Sequence, residues 1–173
     1  DPSLNLTDIH AFTLEQAFGA ALAERQFVLH YQPQIRLDTH QVLGYEALVR
    51  WDHPEFGLLY PDRFIDLAER SGFIVELGWE VLRLACEALS SWNAQGRKTR
   101  LAVNVSALQL RQADFADRLL SKLQHHGIAP QQPERSGVRL DREIREPAEE
   151  GVEQFETEAA DWLQRHFGCG LRI

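Results

Sequence analysis

A carboxylate, an aliphatic side chain and a guanidinium occur at every second position in Tyr45-Glu46-Ala47-Leu48-Val49-Arg50-Trp51. Side chains alternate across a strand, so a strand here puts Glu46, Leu48 and Arg50 on one face. The carboxylate can hold a hard divalent cation through oxygen. The guanidinium can fork onto a phosphate. Such a face suits a phosphate ester, although an exposed strand with an ordinary ion pair would present the same residues. Two other positions fit beside it. Gln32, in Tyr31-Gln32-Pro33, can hydrogen-bond a phosphate or a base, or simply cap a strand on the surface. Asn104, in Asn104-Val105-Ser106, ends a short apolar run. Parallel barrels place their catalytic groups at such strand ends. Its carbonyl oxygen could ligate the same cation, or the residue could only turn the chain before a Ser106 helix cap.

These residues need elements to carry them. Residues 14–25 have a helical pattern, with Thr13 as N-cap. Residues 27–32 and 42–51 read as strands joined through Asp38-Thr39-His40 into a hairpin. A helix is expected over residues 61–70, opened by Pro61 and ended at Ser71-Gly72. Residues 73–94 form a long amphipathic helix with Leu77, Val81, Leu84, Ala88 and Trp92 on its stripe, stopped by Gly96. A short strand at 101–105 and a helix at 108–125, closed by Gly127, follow. Residues 133–150 are crowded with Arg and Glu and read as a solvated connection. An amphipathic helix is expected at 155–167. Strand then helix in this order predicts an α/β fold, a TIM-like (β/α) barrel with an antiparallel first strand. A whole barrel takes about 250 residues. At 173 residues the chain spells an incomplete one.

Bulk properties narrow the function. Hydrophobic residues make up 44%, enough for a packed core. The net charge of -8 argues against a nucleic-acid polymer or an anionic membrane as partner. It does not argue against a small phosphorylated ligand, which local arginines can bind. No apolar run is long enough for a membrane span, and no secretory leader pattern is present. The two cysteines, Cys86 and Cys169, make no disulfide framework. A reducing, cytoplasmic setting is expected.

Together, the Glu46-Ala47-Leu48 run, Tyr31-Gln32-Pro33, Pro61-Asp62-Arg63-Phe64-Ile65 with Ala68-Glu69, and Asn104-Val105-Ser106 resemble the EAL family of bacterial cyclic di-GMP phosphodiesterases. The resemblance runs from about Phe18 to Gln131. It implies that Glu46 and Asn104 are metal ligands for Mg2+ or Mn2+. It implies that Gln32, Leu48 and Arg50 line the dinucleotide site and that Pro61 and Phe64 contact a guanine. After His125-His126-Gly127-Ile128-Ala129-Pro130 the pattern is lost: the family's E-x-T-E and D-D-F-G strands find no counterpart. Val138 to Ile144 resembles the later K-I-D-R strand, with Arg139 in the lysine position. Glu149-Glu150-Gly151-Val152-Glu153 resembles the late A-E-G-V-E motif, which implies that Glu150 is a catalytic residue near the attacking water. Internal segments and the C-terminal end are thus expected to be missing. The division implied is a tail at 1–13 and an EAL-like barrel domain at 14–173, contiguous over 14–132, irregular over 133–146 and late barrel over 147–173.

Two activities fit the resemblance. One is metal-dependent hydrolysis of cyclic di-GMP to linear pGpG in second-messenger signalling. The other is a degenerate module that binds cyclic di-GMP or a protein partner without hydrolysis. Family members commonly pair as homodimers and commonly follow a sensory or diguanylate cyclase-like domain, so both are expected partners.

Overall fold

The computed structural model describes residues 6–128 and 137–142 of the chain. Its centre is the expected hairpin. Strands β1 (Phe27–Ile35) and β2 (Val42–His53) pair antiparallel, with Gln32 opposite Glu46, His30 opposite Leu48 and Val28 opposite Arg50. Both strands outrun their expected ends. β1 passes through Pro33 to Ile35, and the ladder keeps its pairs on either side of the proline. β2 continues to His53, turns, and folds back as β3 (Gly57–Leu59), a strand the sequence reading missed. The turn is held by a side chain. His53 Nδ1 accepts the backbone N–H groups of Glu55 (3.1 Å) and Phe56 (3.2 Å), and its ring stacks on Phe56 at 4.7 Å.

Strand β4 (Arg100–Val105) pairs in parallel with β2, and β5 (Gly137–Arg142) in parallel with β4. The sheet order is β1-β2-β4-β5, with β3 attached to β2. Among the described residues this is an open, mixed α/β sheet with an antiparallel first strand, and it does not close into a barrel. β5 lies within residues 133–146, which were expected to be irregular. Its place also corrects the late-strand reading of residues 138–144. Consecutive parallel strands are usually neighbours, and β5 takes the position next to β4 rather than one further around.

The helices differ from expectation in instructive ways. α1 (Leu6–Ala23) begins ahead of residue 14, so Thr13 lies inside the helix rather than at its N-cap, and part of the expected tail is helical. The helix expected at 61–70 is a 3-10 turn, Pro61–Arg63, followed by α2 (Ile65–Ser71), which ends at Gly72 with φ 80°. Helix α3 (Ile74–Ala94) is as expected, but its buried face is not. Ile74, Leu77, Gly78, Val81, Leu82, Ala85, Cys86 and Leu89 are buried, while Leu84, Ala88 and Trp92 sit at the margin. The single helix expected at 108–125 is two, α4 (Ala107–Leu110) and α5 (Phe115–His125). Leu110 and Phe115 are both buried. Five residues apart on one continuous helix, they would point about 140° from each other at 3.6 residues per turn. The break lets both enter the core.

That core lies between the sheet and its helices. Trp51 is its hub: its ring lies 5.4 Å from Phe18 and from Phe27, and 5.8 Å edge-on from Phe64. Phe18 stacks on Phe73 at 4.5 Å, which ties α1 to the start of α3. The indole N–H of Trp51 donates to Gln26 Oε1 at 2.8 Å, so the ring is buried with its polar atom satisfied. Each such large side chain contributes roughly 1.5–3 kcal/mol by leaving water.

Candidate functional site

Glu46 and Asn104 are 58 residues apart in sequence and meet in space. Parallel pairing of β2 with β4 sets Glu46 opposite Ala102 and Ala47 opposite Val103. Asn104, one residue beyond that registered stretch, therefore stands near Glu46. Its Nδ2 donates to Glu46 Oε1 at 3.1 Å. The amide is then oriented, and Glu46 Oε2 and Asn104 Oδ1 lie outside that hydrogen bond. Both are hard oxygen donors of the kind Mg2+ and Mn2+ prefer. Two such donors would make part of a coordination shell. Among the described residues no group of three or more His, Cys, Asp or Glu is placed to hold a metal ion.

Gln32 sits across the antiparallel ladder from Glu46 and is exposed. Its neighbour Tyr31 lies edge-on to Trp92 at 5.0 Å, and burial pushes the Tyr31 phenol above its ordinary range. Arg50 is half-buried two positions beyond Leu48. Its Nη1 donates to the Val49 carbonyl at 2.8 Å, and the guanidinium lies over the Tyr60 ring at 4.6 Å. The Nε is buried and has no partner, and no carboxylate pairs with this guanidinium among the described residues. A cation held on an aromatic face and a backbone carbonyl keeps most of its donors for an incoming anion.

Leu48, Pro61, Glu69, Asn104, Ser106 and Gln109 line one pocket, whose remaining wall is apolar and comes largely from α3. The structure thus brings Leu48, Pro61 and Asn104 together. Phe64 is not with them. It is 0% exposed and packs on Phe27 and Trp51. The sequence left Phe64 open to core packing as well as to a guanine contact, and the structure shows the packing: the 3-10 turn ends at Arg63, and the next side chain swings into the core. Glu150 lies outside the described residues.

Sequence reasoning missed Gln109. Ser106 caps α4, its Oγ accepting the Gln109 N–H at 3.3 Å, while Gln109 Oε1 accepts the Ser106 N–H at 3.1 Å. This reciprocal capping box has the Ser-x-x-Gln spacing that signals it in a sequence, so the signal was there to read. Nothing in the sequence pointed to Tyr60 as the seat of Arg50.

The described residues form an open mixed α/β sheet with this hairpin, on which an acid and an amide converge from adjacent parallel strands. The EAL domain family model matches residues 15–133. The chain belongs to the EAL domain family. It is 38% identical over 131 residues to the bifunctional diguanylate cyclase/cyclic di-GMP phosphodiesterase MucR of Pseudomonas aeruginosa, covering 75% of this chain and 19% of that protein. It is 33% identical over 175 residues to the oxygen sensor protein DosP of Escherichia coli, covering 99% of this chain and 21% of DosP. The solved structure of the PaMucR phosphodiesterase in complex with c-di-GMP superposes with a TM-score of 0.78 at 34% identity, covering 92% of this chain and 62% of that one. The chain therefore spans about a fifth of the length of these curated relatives.

The DosP match also corrects the expectation of missing internal segments. It runs over 175 positions against 173 residues here, which leaves no room for absent strands. The late-motif positions inferred for Arg139 and Glu150 depended on that absence. Among the described residues no helix is long and apolar enough to cross a membrane.

Proposed function

We propose that this chain forms part of a cyclic di-GMP phosphodiesterase domain and that Glu46 and Asn104 hold a divalent cation, Mg2+ or Mn2+, at its reaction centre. The observation that carries this reading is the Asn104–Glu46 hydrogen bond, which orients two hard oxygen donors on neighbouring parallel strands. What a divalent cation supplies in such a site is neutralised phosphate charge and a more acidic water. The chain's own residues do the rest. Arg50, with no carboxylate partner among the described residues, receives a phosphate. Gln32, beside Glu46, hydrogen-bonds the ligand, and Leu48 and Pro61 supply apolar contact to a base. In the hydrolysis, water oxygen bonds to phosphorus and one P–O3′ bond breaks. The 3′ oxygen leaves with a proton, giving linear pGpG.

A second reading has its own support. Two oxygen ligands gather at the site and no larger group of acids does so among the described residues. Two ligands fit a module that binds the dinucleotide without cleaving it. The experiment that separates the two is calorimetric titration with cyclic di-GMP, followed by chromatography of the products with Mn2+ present. Under the first reading pGpG accumulates, and Glu46→Gln lowers the rate by roughly a hundredfold or more, as for loss of a charge-stabilising group. Binding that survives EDTA with no product would establish the second. Normal turnover by Glu46→Gln would sink the site assignment.

A further inference from the structure

Two features of the helical layer are unfavourable alone and make sense together. Gln109 is 2% exposed, and its Nε2 has no hydrogen-bond partner among the described residues. A buried donor left unmade is costly, and an apolar residue of similar shape would avoid it. Gly78 lies inside helix α3, where glycine is worse than alanine. A methyl group on Gly78 would overlap the Gln109 amide at Nε2, Cδ and Oε1. The glycine therefore makes the space in which that amide lies flat against α3.

What the amide gains there is a fixed Oε1. That oxygen accepts the Ser106 N–H at 3.1 Å and faces the Ser106 hydroxyl at 3.3 Å. Ser106 is the point where the chain leaves β4 and turns into α4, two residues after Asn104. The Asn104 amide must reach sideways to Glu46 on another strand, and a small rotation of this turn would break a 3.1 Å contact. Gln109, Gly78 and Asn104 also line the same pocket. We infer that Gln109, seated on Gly78, is a positioning residue that holds Asn104 against Glu46. The consequence for metal affinity rests on the proposed function; the geometric part does not.

The test uses the 15N-labelled chain with the Asn104 side-chain amide signal, assigned by its loss in Asn104→Asp. Gln109→Met removes the Oε1 acceptor at similar volume. Gly78→Ala dislodges the amide by another route and keeps the test decisive if Gln109→Met does not fold. Both move the Asn104 signal toward that of a free amide and weaken Mn2+ binding by roughly tenfold, the scale seen when support around a metal ligand is lost. Gln109→Glu retains an acceptor for Ser106 and keeps the signal in place. Leu89→Ala, a buried change on α3 away from this contact, lowers the melting temperature without moving the signal. An unchanged Asn104 signal in folded Gln109→Met or Gly78→Ala overturns the inference. If the signal moves as stated but the parent chain binds no Mn2+, the positioning role stands and the metal reading falls.

Discussion

Pro61 and Phe64 are three residues apart and take opposite roles, one lining the pocket and one sealing the core. The sequence could not separate them, because an aromatic beside a motif reads equally well as a ligand contact or as packing. Glu46, Leu48 and Asn104 were legible because strand alternation and strand-end position fix where such side chains point. The place of Arg50 on the strand that carries Glu46 was legible, but its resting contact on Tyr60 depends on β3, which no pattern announced. Cys86 makes a clear prediction at this scale. It is 0% exposed, and burial pushes its thiol up to about 11. The core favours the neutral thiol, so Cys86 contributes stability below the ordinary thiol range and loses it as pH rises toward about 11. With Cys169 replaced by serine, a disulfide reagent at mildly alkaline pH is expected to label the native protein slowly and the urea-unfolded protein fast. Fast native labelling would contradict the burial of this side chain.

Element boundaries followed local chemistry where one residue type dictates it. Gly72 and Gly96 stop their helices with φ of 80° and 75°, as expected of residues that tolerate the left-handed region. The split of α4 from α5 could not be read from helical periodicity alone, because the break is set by what Leu110 and Phe115 must bury. The β2–β3 turn was hidden for a related reason: its determinant is the imidazole of His53, a side chain with no turn signature. That imidazole satisfies the N–H groups of Glu55 and Phe56. His53→Ala is expected to cost about 1–3 kcal/mol for the donors left without a partner. His53→Asn, whose side-chain oxygen can accept from the same amides, should recover part of that. Urea unfolding of the two variants checks it; equal losses would mean that ring stacking on Phe56, not the hydrogen bonds, holds the turn.

At the scale of the whole molecule, β2 and β4 are the only described strands of the main sheet path flanked on both sides, β2 by β1 and β4, and β4 by β2 and β5. Local opening should cost most there. Hydrogen exchange is expected to be slowest for the β2 and β4 amides around Ala47 and Val103. It should be faster toward the Gln34/Ile35 end of β1, where the register shifts. Uniform protection along β1 and β2 would refute this ranking. The mixed α/β class and the antiparallel first strand were legible, since each rests on the order of short apolar runs. The position of β5 was not: residues 138–144 resembled a strand, but one from later in the barrel, because the charged sequence Gly137-Val138-Arg139-Leu140-Asp141-Arg142 carries no mark of its neighbour β4. Pro33, midway along β1, has a consequence of another kind. β1 borders the described sheet, and a bordering strand presents a row of donors and acceptors on which a foreign chain can dock and aggregate. Proline has no N–H to give, and the β1–β2 ladder keeps its register through Pro33 and Gln34 before it shifts. The gap therefore falls on the outward row. An invading strand would find its register interrupted midway along β1, so the residue that seemed only to end a motif also guards the sheet against self-assembly.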